Sequence, residues 1–350
     1  MVRPIIIDNH EIGPGRPCFI IAEAGVNHNG DIEMAKRLVD VAVASGSNAV
    51  KFQTFIAEKV MTPDAPKAEY QAQTTCFDES QLEMIKKLQL SFDDFLEIRD
   101  YCDHKGIIFL STPFDEESAD FLDKLGVPAF KIPSGEVTNH PFLENIARKS
   151  KPIIMSTGMC YLSEVDEALR LIKGAGCRDI VLLQCVSNYP ADPKDANIRA
   201  MQTMANAFQV LVGYSDHTPN IEVALAAVAF GACVIEKHFT LDKNLFGPDH
   251  RASLNPGELN KLVNGIRTVE TALGDGYKIP SESEIPNRKI VRRSLAASCD
   301  ISKNSVIELE MLTALRPANG ISPSLIGAVI GRKSKRTLKA GQPIGWDDLR

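Results

Sequence analysis

No CxxC pair occurs among the eight cysteines, which are scattered singly from Cys18 to Cys299 and often sit inside apolar runs. That argues against a zinc ribbon or a dithiol redox motif and leaves buried free thiols as the expectation. No apolar stretch reaches the ~18 residues that a membrane-spanning helix needs. The first residues, Met1 to Arg16, carry Asp8, His10 and Glu11 and lack the basic-then-apolar order of a secretory signal. A cytoplasmic protein is therefore expected. Internal repeats are absent beyond a strand–helix period, and so are low-complexity tracts.

Charge is unevenly spread. The 350 residues carry a net charge of −6, yet Arg288–Arg350 holds 12 Lys and Arg against 5 Asp and Glu. A basic tail suits nucleic acid, a lid over an anionic small molecule, or a solvated surface. A nucleic-acid surface would interleave aromatic side chains with its cations. This tail has Trp346 and no Tyr or Phe, and its basic residues alternate with apolar ones apart from Arg332–Arg336.

What the sequence does contain is a regular alternation. Short, nearly continuous apolar runs cover Cys18–Ala24, Ala49–Gln53, Gly106–Ser111, Ala129–Pro133, Pro152–Ser156, Asp179–Gln184, Val210–Tyr214 and Ala232–Glu236. Such runs fit parallel strands buried on both faces. Amphipathic segments separate them, for example Asp31–Ser45, Ser91–Lys105 and Pro256–Leu273. Strand–helix alternation implies right-handed βαβ units, and eight of them predict a (β/α)8 barrel rather than a doubly wound open sheet. Ile5–Pro17 reads as a hairpin turning near Gly13-Pro14-Gly15. Thr54–Leu90 reads as a long insertion forming an active-site loop, with a helix near Glu79–Leu88. The expected domains are a barrel over 1–274, a linker over 275–289 rich in Gly, Pro, Ser and Glu, and a small domain over 290–350.

Each apolar run ends in residues that a core does not favour. Glu23 closes the first, Lys51 and Gln53 the second, Thr112 the third, and Lys131, Ser134 and Glu136 follow the fourth. Ser156 ends the fifth, Ser187 and Tyr189 follow the sixth, Ser215 and His217 the seventh, and His238 the eighth. One such residue means little, but in a barrel all these ends converge on one pocket. Buried polar groups cost stability unless they are paired or used. Lys51 and Lys131, hydroxyls, and the turns at Gly135 and Gly158 describe a phosphate or phospho-carboxylate site. His217 and His238, on adjacent strands, form either a divalent-metal pair or hydrogen-bonded core histidines. Glu23 neighbours them across the barrel seam, as an acid/base or as a metal partner through water.

The motifs Ile21-Ala-Glu-Ala-Gly-Val-Asn-His-Asn-Gly30, Val50-Lys-Phe-Gln-Thr54, Ser111-Thr-Pro-Phe-Asp115, Phe130-Lys-Ile-Pro-Ser-Gly-Glu136, Gly213-Tyr-Ser-Asp-His-Thr218 and Ile235-Glu-Lys-His-Phe-Thr240 together resemble the sialic acid synthase family, as do Gly247-Pro-Asp-His250 and Arg316-Pro-Ala-Asn-Gly-Ile-Ser-Pro323. The resemblance runs through essentially the whole chain. It implies a TIM barrel with a C-terminal SAF domain, similar to type III antifreeze proteins, in a domain-swapped homodimer. It implies a divalent metal, typically Mn2+ with Mg2+ or Co2+ as alternatives, on His217 and His238. Lys51, Thr112, Lys131, Ser134, Ser156, Ser187, Tyr189 and Ser215 would hold phosphoenolpyruvate. Glu23, Gln53, Glu136 and Asp249 would face the sugar, with Glu23 or Glu136 as acid/base. Arg316 would reach the sugar's N-acetyl group from the partner subunit, which gives the basic tail a use other than nucleic acid. The implied reaction joins phosphoenolpyruvate to N-acetylmannosamine, giving N-acetylneuraminate and phosphate. The alternative acceptor is 2,4-diacetamido-2,4,6-trideoxymannose, giving N,N′-diacetyllegionaminate. A Schiff-base aldolase using Lys51 or Lys131 and a non-catalytic carbohydrate-binding protein are the rival readings.

Overall fold

A computed structural model describes residues 2–67, 71, 75 and 79–350. The chain divides into two compact units, Met1–Gly274 and Asp275–Arg350.

Eight parallel strands build the first unit: β3 (Phe19–Gly25), β4 (Ala49–Thr54), β5 (Ile108–Pro113), β6 (Phe130–Ile132), β7 (Ile153–Ser156), β8 (Ile180–Cys185), β9 (Leu211–Asp216) and β10 (Val234–His238). They pair in the order β5-β4-β3-β10-β9-β8-β7-β6, and β5 packs beside β6, so the sheet curls into a nearly closed barrel. The register sets Glu23 against both His238 and Lys51, and Glu236 against Ser215. Helices fall within a few residues of the expected bounds, for example Ile32–Ser45, Phe92–Lys105 and Pro256–Leu273. Sequence punctuation explains their ends. Asp31, Ser91 and Asn255 cap the N-termini, and Gly46 and Gly106 take the left-handed conformation at the C-termini.

Strand alternation places the chemistry. In β3, Ile20, Ala22 and Ala24 join the core between strands and helices, while Phe19 and Ile21 join the barrel interior. Glu23 continues that inward face. The same step of two carries Ala49 to Lys51 and Gln53, Leu110 to Thr112, Val181 and Leu183 to Cys185, and Val234 to Glu236 and His238. The interior is thus apolar at the N-terminal ends of the strands and polar at the C-terminal ends. The outward residues are mostly apolar, and the buried Thr54 and Ser111 among them pair with each other at 2.7 Å. Lys237 is buried on the outer side, where it donates to Asp216 Oδ2 at 2.8 Å and to the carbonyls of Thr218 and Asn220.

The N-terminal hairpin differs from expectation. Its strands are β1 (Ile5–Ile7) and β2 (His10–Ile12), and the turn is Asp8-Asn9, with Asp8 at φ 53°. A two-residue turn needs left-handed backbone that Asp tolerates. The Gly13-Pro14-Gly15 stretch instead links the hairpin to β3. Ile5, Ile7 and Ile12 pack into the interior core beneath Phe19 and Ile21.

The second unit contains β11 (Ser294–Ala297) and β12 (Leu312–Leu315), paired antiparallel, and a core that includes Leu295, Ile307, Leu338 and Ile344. The stretch expected to be a plain linker contains a helix, Glu284–Val291. Its Pro286 sits in the first turn, where no backbone donor is lost. The seven described cysteines are free thiols, and Cys76 lies outside the described residues. Among the described residues no helix is long and apolar enough to cross a membrane.

Gly213, inside β9, has no room for a side chain. A Cβ there would lie 2.4 Å from the Val234 carbonyl oxygen and 2.7 Å from Leu183 Cδ2. Gly213→Ala is expected to cost about 1–3 kcal/mol through overpacking. A urea-unfolding midpoint equal to that of the parent would refute this.

Candidate active site

At the polar end of the barrel lies a cavity of about 400 Å³. Its floor is a network of four buried charges. Lys51 Nζ lies 2.6 Å from Glu23 Oε2 and 3.7 Å from Glu236 Oε2, and Lys131 Nζ lies 3.4 Å from Glu236 Oε1. Three hydroxyls complete it: Lys51 donates to Thr112 at 2.6 Å, Lys131 to Ser156 at 2.8 Å, and Ser215 to Glu236 at 2.9 Å. Lys51 and Lys131 are 2% and 4% exposed, so neither ammonium can rely on water.

The four groups respond differently to the same burial. For Glu236, burial favours the neutral form, but the ammoniums of Lys131 and Lys51 outweigh it and hold the carboxyl at about 2. For Glu23, burial dominates; Lys51 opposes it, the repulsion of Glu236 adds to it, and the carboxyl rises to about 7. Lys51 is raised, since Glu23 and Glu236 together overcome its burial. Lys131 is lowered by burial, with Glu236 only partly compensating. Glu236 is thus the fixed anion, Glu23 is poised for proton transfer near neutrality, and Lys131 stands to gain from a further anion beside it.

His217 and His238 both line the cavity, with ring centroids 5.5 Å apart. His217 Nδ1 lies 2.6 Å from the Val186 carbonyl, which can only accept, so Nδ1 carries a proton and Nε2 is the nitrogen turned to other partners. Burial disfavours the charged ring, but Cys185 and the Val186 carbonyl outweigh it and raise the ring above the ordinary histidine value. Burial, reinforced by His217 and Lys51, holds His238 well below the ordinary histidine range and therefore neutral. Its buried Nδ1 has no hydrogen-bond partner. Neutral His238, with its unpartnered Nδ1, offers a lone pair directly, and His217 would offer Nε2 once that nitrogen gives up its proton, so the donor set fits a divalent ion. Among the described residues no group of three or more His, Cys, Asp or Glu is arranged for a metal, so these two rings would leave coordination positions open. Tyr189 packs against both, at 4.1 Å from the His217 ring and 5.6 Å from the His238 ring.

The remaining expected residues divide. Gln53, Ser134, Ser187 and Asp249 line the same cavity. Gln53 donates to Glu23 at 3.3 Å, and the Gly158 N–H donates to Ser134 at 2.9 Å. A side chain at Gly158 would meet Ser187 Oγ at 2.4 Å, so glycine is needed for that approach. Asp249 is raised to about 6 by burial, with His217 opposing. Glu136 is not among the lining residues. It ends the 3-10 turn Ser134–Glu136 and accepts a hydrogen bond from Asn139 at 2.6 Å. Successive residues of such a turn point about a third of a turn apart, so Ser134 faces inward and Glu136 does not. Arg316 belongs to the second unit, where it is exposed. Glu236 and Cys185 are lining residues that the sequence reading passed over. Glu236 was recoverable, because it stands two residues before His238 on one strand face.

Residues 38–278 match the NeuB family and residues 292–350 match a SAF domain. The N,N′-diacetyllegionaminic acid synthase of Legionella pneumophila is 50% identical over 341 residues, 96% of each chain. The N,N′-diacetyllegionaminic acid synthase of Campylobacter jejuni is 50% identical over 328 residues, 93% of this chain and 98% of that one. Among solved structures, the N-acetylneuraminic acid (sialic acid) synthetase of Leptospira borgpetersenii in complex with citrate is 36% identical, with a TM-score of 0.73 over 82% of this chain and 95% of that one.

An ammonium pair at the bottom of a cavity should bind small anions. Millimolar phosphate is expected to raise the thermal midpoint of the parent, and Lys131→Met to remove most of that rise. A variant that still responds like the parent would place the anion elsewhere.

Proposed function

The chain belongs to the NeuB family and is a carbon–carbon bond-forming synthase of the sialic acid synthase type; from that premise we propose that it condenses phosphoenolpyruvate with 2,4-diacetamido-2,4,6-trideoxymannose and water, forming N,N′-diacetyllegionaminate and phosphate. The observation that carries the acceptor is the 50% identity to two N,N′-diacetyllegionaminic acid synthases over nearly full length, against 36% to a sialic acid synthetase. The preference for N-acetylmannosamine drawn from the sequence gives way to its alternative on this ground.

In the proposed reaction, Lys51 and Lys131 with Thr112, Ser134, Ser156, Ser187 and Ser215 hold the phosphate and carboxylate of phosphoenolpyruvate. His217 and His238 would hold a divalent ion, manganese or else magnesium or cobalt, whose Lewis acidity activates the acceptor's aldehyde. Carbon 3 of phosphoenolpyruvate bonds to the aldehyde carbon, and positive charge develops at carbon 2. Water adds at carbon 2, and the carbon–oxygen bond to phosphate then breaks to leave the 2-keto acid. Glu23, with its carboxyl near 7, is suited to deliver a proton to the new alkoxide and to take one from the water. Glu136, turned away from the cavity, is not assigned that role. Both lysines are engaged by carboxylates, which supports charge binding over a Schiff base. The proposal includes a cytoplasmic location and a homodimer in which Arg316 is supplied by the partner subunit. Arg316→Ala and His238→Ala chains, each inactive alone, should then regain part of the activity when mixed and allowed to exchange; no recovery despite verified exchange would count against it.

The decisive assay is sugar-dependent phosphate release, with manganese and with EDTA, for the diacetamido sugar, N-acetylmannosamine and N-acetylmannosamine 6-phosphate. Release should be greatest with the first, lost in EDTA, and reduced at least about 100-fold in His217→Ala or His238→Ala. Faster release with N-acetylmannosamine would return the acceptor to that sugar. Activity in EDTA together with borohydride trapping would support the Schiff-base alternative.

A further inference from the structure

The cavity has two chemically different sides. The charged floor accounts for phosphoenolpyruvate and for the reacting aldehyde. Opposite in character is a wall contributed largely by the segment between β4 and β5. Phe55, Val60, Met61, Met84, Ile85 and Leu88 line the cavity there, with Val26 and Phe114 beside them.

The wall is a built surface. In the helix Gln81–Leu88, the lining residues Gln81, Met84, Ile85 and Leu88 fall at i, i+3, i+4 and i+7, which puts them on one face. Ser80 and Glu83 close a capping box at its start. Val26, Phe55 and Leu88 form a small core of their own, against which Val60, Ile85 and Phe114 pack, and Phe55 meets Phe114 edge to face at 6.3 Å. The helix is held from outside by Lys86–Glu58 at 2.8 Å and by Gln89, which accepts from the Ala57 N–H at 2.9 Å. Gly30, at φ +75°, leaves room for the Lys87 carbonyl, which a Cβ there would meet at 2.4 Å. Of the polar side chains on this segment that line the cavity, Gln71 and Gln81 are bonded to each other at 3.4 Å.

A wall of this kind has a definite chemical preference. A fully hydroxylated sugar end placed against it would give up hydrogen bonds to water without replacing them. A methyl group loses nothing and buries its surface. The geometry points to this wall as the subsite for the deoxy end of the acceptor, with Met84 and Ile85 selecting a methyl group at carbon 6 over a hydroxymethyl group. The assignment rests on the acceptor reading above and gives it a structural cause.

The test uses a matched pair, N-acetylmannosamine and 2-acetamido-2,6-dideoxymannose, which differ by one oxygen at carbon 6. The parent enzyme with manganese should favour the 6-deoxy sugar in kcat/KM by about 10-fold to 100-fold. Ile85→Gln or Met84→Gln should bring that ratio toward unity without changing KM for phosphoenolpyruvate, and Ile85→Val should preserve it. If neither sugar of the pair turns over, calorimetric affinities of the two sugars for the parent supply the same comparison. Equal treatment of the pair by the parent, or a preference untouched in both Gln variants, overturns the inference. Failure of the acceptor reading is seen separately, as poor phosphate release with the diacetamido sugar, because that sugar also differs at carbon 4 and this pair does not.

Discussion

Glu236 touching two buried lysines is the contact on which the catalytic end depends. A barrel interior has little capacity for uncompensated charge, and Lys51 and Lys131 would otherwise repel each other in a dry space. One carboxylate shared between them keeps both side chains extended into the cavity and spaced by its own width. Its ionisation near 2 means the bridge stays closed at any physiological pH. Glu23 then takes what remains of the positive field. It is close enough to Lys51 to ionise and crowded enough by burial and by Glu236 to give the proton back. The anion site and the acid/base group of the proposed reaction are thus two results of a single arrangement.

Much of this was legible in the sequence, for a physical reason. Parallel strands covered on both faces read as short apolar runs, and their polar endings are conspicuous. The step of two along each strand then decides which endings point inward. That logic places Glu23, Lys51, Thr112, Ser156, Ser215 and His238 in one cavity. It places Glu236 there equally well, two residues before His238 on the same strand face. Lys237 is the reverse case, a charged strand residue that faces outward and is buried with Asp216.

What escaped the sequence lies outside regular strands. Glu136 sits in a single 3-10 turn, where the two-residue rhythm fails. The hairpin turns at Asp8-Asn9 although Gly13-Pro14-Gly15 is the stronger turn signal, because the register that pairs Ile5 with Ile12 puts Ile5, Ile7 and Ile12 into the interior core. The apolar wall comes from an insertion with no strand to orient it. Helical spacing alone can say only that one face is apolar, and the fold shows that this face lines the same cavity as the charged floor.

The hairpin beneath the strands sets the plumbing of the molecule. With Ile5, Ile7 and Ile12 packed against the interior core, the barrel is a well and not a tube. Reactants arriving at its charged bottom, phosphate leaving it, and the waters exchanged for both must share one opening. In the reaction proposed above, whatever binds at the charged bottom would lie beneath whatever enters after it, so the shape of the container favours one order of loading.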